Sequence, residues 1–325
     1  MQRRTLLATA GATAFSLVSG QTRASSYPDR PIRLVVPFQP GSGPDGLARV
    51  VAEGLSAGLG QTVVVENAPG AGGVIGAMAL KRAAPDGYTI GLFANTHVIN
   101  VHTFRNMPYH TARDFTPIGA LVTNATVLAV PVGSPYKSAG DLVDAMKRAP
   151  GTLNYGSGGK GSIAHLAVEL LLQQTGTQAV HVPYKGAVDI VTAMLSGQTQ
   201  FGMPTMGVSA NYLRNGQIRV LAVASGTRTR LLPDVPTLAE VLPPGVRVDN
   251  WSGLFAPAHL PEAVTQRLFR EIAVVQGSSR YVDFMKSTGA DVMRSESPRQ
   301  FAGFVATELD RFGKLMRSIG MEPTT

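Results

Sequence analysis

Two glycine-bearing turns, PFQPGSGPD at residues 37–45 and NYGSGGKGS at residues 154–162, each leave a short apolar strand and open an amphipathic helix. A chain built on this strand-turn-helix unit is confined to α/β architecture, because parallel strands need crossover helices and those helices cover both sheet faces. The alternation predicts a strand at Ile32 to Pro37, a helix at Asp45 to Leu59, a strand at Thr62 to Glu66, a helix at Gly73 to Ala83 and a strand at Thr89 to Phe93. In the first helix Leu47, Val50, Val51 and Leu55 share one face. The same order returns from Thr126, with strands at Val127 to Pro131, Thr152 to Tyr155, Ala179 to Val182, Thr199 to Met203 and Arg219 to Ala224. A helix from Ile163 to Gln173 turns Leu166, Leu170 and Leu171 inward behind Ser162 as N-cap.

The proline-rich stretch 233–244 cannot continue regular structure and reads as a connector. Beyond it an apolar Leu254-Phe255-Ala256 precedes helices at Pro261 to Val275 and Pro298 to Ile319. A helical piece that follows a finished second lobe packs most simply on the first, so the chain crosses between lobes twice. The expected fold is α/β and two-lobed, each lobe a mainly parallel sheet flanked by helices. Residues 25–125 with 249–325 form lobe 1 and residues 126–248 form lobe 2.

Residues 1–24 read as a secretory leader: Arg3 and Arg4, an uncharged stretch from Leu6 to Val18, then small residues to a cleavage point near Ala24. The apolar part falls short of the roughly 20 residues that cross a bilayer. QRRTLL at residues 2–7 also resembles a twin-arginine signal, so the general secretory and twin-arginine routes to the periplasm both stand open. The rest of the chain keeps 26 basic against 21 acidic residues, scattered singly, which suits small acidic ligands and argues against nucleic acid. With no cysteine, disulfides and thiolate chemistry are absent and the core alone must hold the fold.

A helix start offers unpartnered N–H groups and partial positive charge, and glycine lets an anion approach the main chain. Two such turns over a hundred residues apart read as halves of one anion clamp. Gly41-Ser42-Gly43-Pro44-Asp45-Gly46 with Glu66 also satisfies a dinucleotide fingerprint, but Phe38, Gln39 and Pro40 separate it from the strand and Pro44 fixes the helix entry. The second turn fails as a phosphate loop because Gly161 stands between Lys160 and Ser162. It remains a nest of amides with two hydroxyls, Ser157 and Ser162. Asp45 reads as an N-cap or as a contact to a ligand amine or hydroxyl. His165 and His181 read as hydrogen-bonded core or rim histidines, with no partnered nucleophile that would make His165 a hydrolase base. Tyr184, Lys185 and Gly186 sit at the strand end where α/β folds place ligands, with Lys185 either supplying charge or solvated.

YPDRPIRLVVPFQPGSGPD (27–45), GQTVVVENAPGAGGVIG (60–76), PDGYT (85–89), DFTPI (114–118), LNYGSGGKGSIAHLAVEL (153–170), HVPYKG (181–186) and LPDVPTLAE (232–240) together resemble the substrate-binding receptors of tripartite tricarboxylate transporters, the Bug family. That resemblance implies a type II periplasmic-binding-protein fold without catalysis, cofactor or metal. It implies a monomer that holds a small carboxylate, a di- or tricarboxylate, amino acid or aromatic acid, and presents it to membrane permease subunits or to a sensor receptor. Carried over by position, the ligand-binding set is Phe38, Pro40, Gly41, Ser42, Gly43 and Asp45 from lobe 1. Lobe 2 contributes Ser157, Gly158, Gly161, Ser162 and His165, with Tyr184, Lys185 and Gly186 nearby. Ser42, Pro44, Lys160 and the pair Asn100-Val101 depart from the family pattern.

Overall fold

The computed structural model describes residues 27–184, 186–242 and 247–323. The leader pattern and Lys185 lie outside the described residues. Lobe 1 opens with β1 (Ile32–Val36), α1 (Gly43–Leu59), β2 (Val63–Asn67), a 3₁₀ turn at Ala71–Gly73, α2 (Val74–Lys81), β3 (Thr89–Ala94), α3 (Thr96–Thr103), α4 (Thr111–Asp114) and β4 (Phe115–Ala125). Lobe 2 contains β5 (Val127–Pro131), α5 (Ala139–Arg148), β6 (Asn154–Ser157), α6 (Ile163–Thr175), β7 (Val180–Pro183), α7 (Ala187–Leu195), β8 (Phe201–Gly202), α8 (Met206–Arg214), β9 (Ile218–Val223) and α9 (Leu238–Val241). The chain returns through β10 (Asp249–Pro257), α10 (Glu262–Gly277), α11 (Ser279–Thr288), β11 (Asp291–Val292) and α12 (Pro298–Ser318).

The six-stranded sheet of lobe 1 has the order β11-β4-β10-β3-β1-β2, and the five-stranded sheet of lobe 2 the order β7-β6-β8-β5-β9. The predicted alternation appears as the parallel part of each, β1 with β2 and β3, and β6 with β7 and β8. The remaining pairings are antiparallel, which corrects a mainly parallel sheet to a mixed one. The cause is the double crossing. A strand that re-enters a lobe beside the strand that left it must run the opposite way, as β10 does beside β4 and β9 beside β5. Between the lobes the two crossings stay bonded: Ala224 N–H donates to Thr126 O at 2.7 Å and Val248 N–H to Ala224 O at 2.6 Å.

Helix α12 is a third link. Phe301, Val305 and Phe312 are buried in lobe 1, while Gln173 Nε2 on α6 of lobe 2 donates to Ser318 O at 3.0 Å. Glu308, buried on the same helix, accepts from Trp251 Nε1 at 3.0 Å and from Arg311 at 2.7 and 2.8 Å, so its charge is fully bonded. At Gly253 of β10 an added Cβ would lie 2.2 Å from Phe301, which leaves glycine the only residue that admits this packing. Further inside, His97 is enclosed by Phe93, Tyr109 and Phe115, with ring centroids 4.7, 4.7 and 4.6 Å away. Burial pushes its pKa down to about 3, so the ring is neutral.

Candidate functional site

Strand direction alone brings the two glycine turns together. In lobe 1, β1 and β3 are parallel and both run with β4, whose end at Ala125 leads into the hinge, so the turn after β1 faces the hinge. In lobe 2, β5 starts at the hinge and β6 runs opposite to it, so the turn after β6 faces the hinge as well. Ligands of α/β proteins bind at such strand ends.

The first turn is shaped by Gly41, whose φ of +78° is left-handed and whose Cβ position is open within 4 Å. Ser42 occupies the N-cap position of α1, but its hydroxyl donates backward to Gln39 O at 2.7 Å and makes no capping bond. Asp45 is therefore not the N-cap: it lies inside the first turn, 2% exposed. Its carboxylate accepts from Gly41 N–H at 2.8 Å, from Asn67 Nδ2 at 2.8 Å and from two Arg49 nitrogens at 3.1 Å. Burial raises its pKa, and the Arg49, Gly41 and Asn67 bonds outweigh burial and hold it below the usual value. Every lone pair of Asp45 is spoken for, so it braces the turn and has no capacity for a ligand. Phe38, half-buried, gives its carbonyl to Asn67 at 3.1 Å, and Pro40 is exposed on the same loop. With Gly41 N–H used and Pro44 lacking one, the amides of Gly43 and Asp45 remain without a partner among the described residues.

In the second turn Gly159 and Gly161 have φ of +98° and +82°. Ser162 caps α6 as expected, its Oγ accepting from His165 N–H at 3.3 Å. The amides of Ile163 and Ala164 have no partner among the described residues, and Gly158 is exposed beside them. Three other expected contacts are structural. Ser157 is fully buried, with Oγ 2.6 Å from His181 Nε2 and accepting from Gly159 N–H at 3.1 Å, so it supports the turn from beneath. His165, buried, accepts from Gly161 N–H at Nδ1 (3.4 Å), and burial, then His181 and Lys160, lower its pKa to about 4. Tyr184 packs over Gly156, its N–H donates to Ser157 O at 2.8 Å, and its hydroxyl donates to Gln198 at 3.2 Å. Gly186 is the N-cap of α7.

The two lobes meet at the end of α3, which sequence reading did not assign to the site. A Cβ on Gly161 would lie 3.6 Å from Thr103 Cγ2. One turn earlier Asn100 donates to Gly72 O at 2.9 Å, and a Cβ on Gly73 would lie 3.4 Å from Pro37, where the first turn begins. The strained run at 70–73, including Ala71 at φ +47°, thus links both turns. Its glycines were visible in the sequence, whereas its nearness to α3 depends on tertiary packing. Among the described residues no group of three His, Cys, Asp or Glu side chains is placed to hold a metal.

A family model described as "Tripartite tricarboxylate transporter family receptor" matches residues 47–321. The chain superposes on the structure of periplasmic binding protein BugD with a TM-score of 0.77, at 29% identity, covering 92% of this chain and all of that one (100%). It is also similar to Rpa4515 of R. palustris, solved with adipate, with a TM-score of 0.80 and 31% identity over 92% of this chain and 100% of that one. A third likeness is MatC (Rpa3494) from Rhodopseudomonas palustris with bound malate, with a TM-score of 0.76 and 29% identity over 89% and 99% of the two chains.

Proposed function

The chain belongs to the tripartite tricarboxylate transporter receptor family, and from that premise we infer that it is a periplasmic solute receptor that grips a small carboxylate between its two glycine turns. The observation that carries this reading is the pairing of unpartnered amides at two facing helix starts, Gly43 and Asp45 on one lobe and Ile163 and Ala164 on the other. The Ser162 hydroxyl and Lys160 add a donor and a charge. Adipate and malate in related structures support a dicarboxylate. The lobes we assign are residues 25–125 with 249–325, and residues 126–248, closing about the paired crossings. The partner that accepts the closed form is the permease of a tripartite transporter.

We assign no catalytic role. Ser157 and His181 stand at nucleophile-to-base distance, but the hydroxyl is fully buried and no hydrogen bond among the described residues joins His181 to a carboxylate. A panel of di-, tri- and aromatic carboxylates is expected to raise the melting temperature by mass action. Ser162→Ala is expected to weaken the best of them by about 1 to 2 kcal/mol. A panel that leaves melting unchanged at millimolar concentration rejects the carboxylate reading, and an unchanged affinity in Ser162→Ala removes that hydroxyl from the site.

A further inference from the structure

We propose that a cavity on the opposite flank of the hinge is a second ligand site, for a small polyanion bearing two or more phosphate or carboxylate groups. It measures about 870 Å³, a size typical of small-molecule sites. Its walls are the segment 225–231 of lobe 2, the segment 282–294 of lobe 1, and the crossing strands at Thr123, Ala125, Asp249 and Trp251. In the sheet order β11 lies beyond β4, away from β1, so this cavity and the glycine turns occupy different sides of the crossing.

Arg228, Arg230, Arg247, Lys286 and Arg294 line the cavity, against the two acids Asp249 and Asp291. Arg228 is bound by Glu240 at 2.9 Å, and Arg230 reaches across the lobes to Asp291 at 2.7 Å. Arg247 is held differently. A Cβ on Gly226 would lie 2.8 Å from its Cζ, so the guanidinium packs on bare glycine backbone, and Asp249 fixes its Nε at 2.8 Å. Its two terminal nitrogens donate to nothing among the described residues, which presents a preset fork to an oxyanion. Arg294 has no ion pair or hydrogen bond among the described residues, so a second cation awaits a partner on the facing lobe. Because both lobes contribute walls, an occupant there is linked to lobe closure, and hence to the glycine turns.

The chain's single tryptophan, Trp251, lines this cavity, so its fluorescence reports on occupancy. Titration with pyrophosphate is expected to give a saturable change at one site per chain by calorimetry. Citrate, which the glycine turns can also hold, is titrated in a second arm and assigned to the cavity only for the response that Ser162→Ala leaves and Arg294→Ala removes. Arg294→Ala, at an exposed position, and Arg247→Ala are each expected to weaken pyrophosphate binding roughly tenfold, whereas Ser162→Ala, remote from the cavity, does not change the pyrophosphate response. A response confined to pyrophosphate assigns a phosphate ligand, and one confined to citrate and lost in Arg294→Ala assigns a carboxylate one. No saturable response to either probe at millimolar concentration, or one that Arg294→Ala does not alter, overturns the site. Adipate binding that falls in Ser162→Ala and survives Arg294→Ala reports separately on the glycine turns.

Discussion

Asp45→Asn isolates the brace beneath the first glycine turn. The amide keeps the shape of the carboxylate but places an NH₂ against donors on one side. Oδ2 receives Gly41 N–H and Arg49 Nε, and Oδ1 receives Asn67 Nδ2 and Arg49 Nη2, so either orientation of the amide leaves two donors unmatched. Losing the charged acceptor of a buried amide costs about 1.5 to 3 kcal/mol. Arg49 is 57% exposed at its side chain, so its pairing adds no more than about 1 kcal/mol after solvent screening. The expected total is about 2 to 4 kcal/mol, or a melting temperature lowered by roughly 3 to 6 °C in a chain of this length. The deficit has a defined pH dependence. Because the folded pKa of Asp45 lies below its unfolded value of 3.8, its contribution is complete above that value and fades as pH falls through the lower folded one. Thermal melts of parent and variant from pH 7 to pH 2 should therefore converge only at the acid end. A variant within one or two degrees of the parent at neutral pH, or a gap that does not begin to narrow as pH falls below 3.8, refutes the brace.

His97→Phe removes a ring that is neutral when folded, with a pKa of about 3 against 6.5 unfolded. Stability from this group is complete above 6.5 and lost as pH falls toward 3, reaching a deficit of about 2 to 3 kcal/mol at pH 4.5. The variant should flatten urea-derived stability between pH 6.5 and 4.5, and an unchanged slope rejects the assignment. Gly161→Ala places a side chain at φ +82°, costing about 1 to 2 kcal/mol, with no severe clash since Thr103 is 3.6 Å away. Carboxylate affinity should fall with it; intact affinity beside lowered stability would detach Gly161 from the grip. Gly253→Ala forces Phe301 to move and is expected to cost about 2 to 3 kcal/mol in denaturant titration without altering ligand affinity in the folded fraction.

Much of the fold is legible because local signals agree. Short β-branched strands, one apolar face per helix and glycine after each strand place β1, α1, β6, α6 and their turns within two or three residues of where they form. The eleven residues of β4 escaped for a physical reason: Phe115–Ala125 is buried almost throughout, so it shows neither alternation nor a flanking helix unit, and only its partner β10 identifies it. β10 in turn is antiparallel because of where the chain re-enters, a property of the crossing and not of its own residues. In the candidate site, the turn positions Gly41, Gly43, Gly161 and Ser162 are readable as such from turn chemistry. Side chains were not, because whether Ser157 or Asp45 meets solvent depends on His181, Asn67 and Arg49, each distant in sequence.

That division bears on how the receptor discriminates. Asp45 consumes the Gly41 amide, His165 consumes the Gly161 amide, and Ser157 is spent beneath its own turn, so the glycines shape the approach and the following helix starts supply the donors. On the proposed reading, four neutral amides, the Ser162 hydroxyl and the Lys160 charge recognise a carboxylate as a class and do not separate one acid from another. On that reading we propose that selection comes from the far end of the ligand, with the end of α3, where Asn100 bonds the turn at 70–73 and Thr103 approaches Gly161, as the first place to look. Exchanging residues there should change which acid binds, whereas exchanging residues at the helix starts should weaken all acids alike.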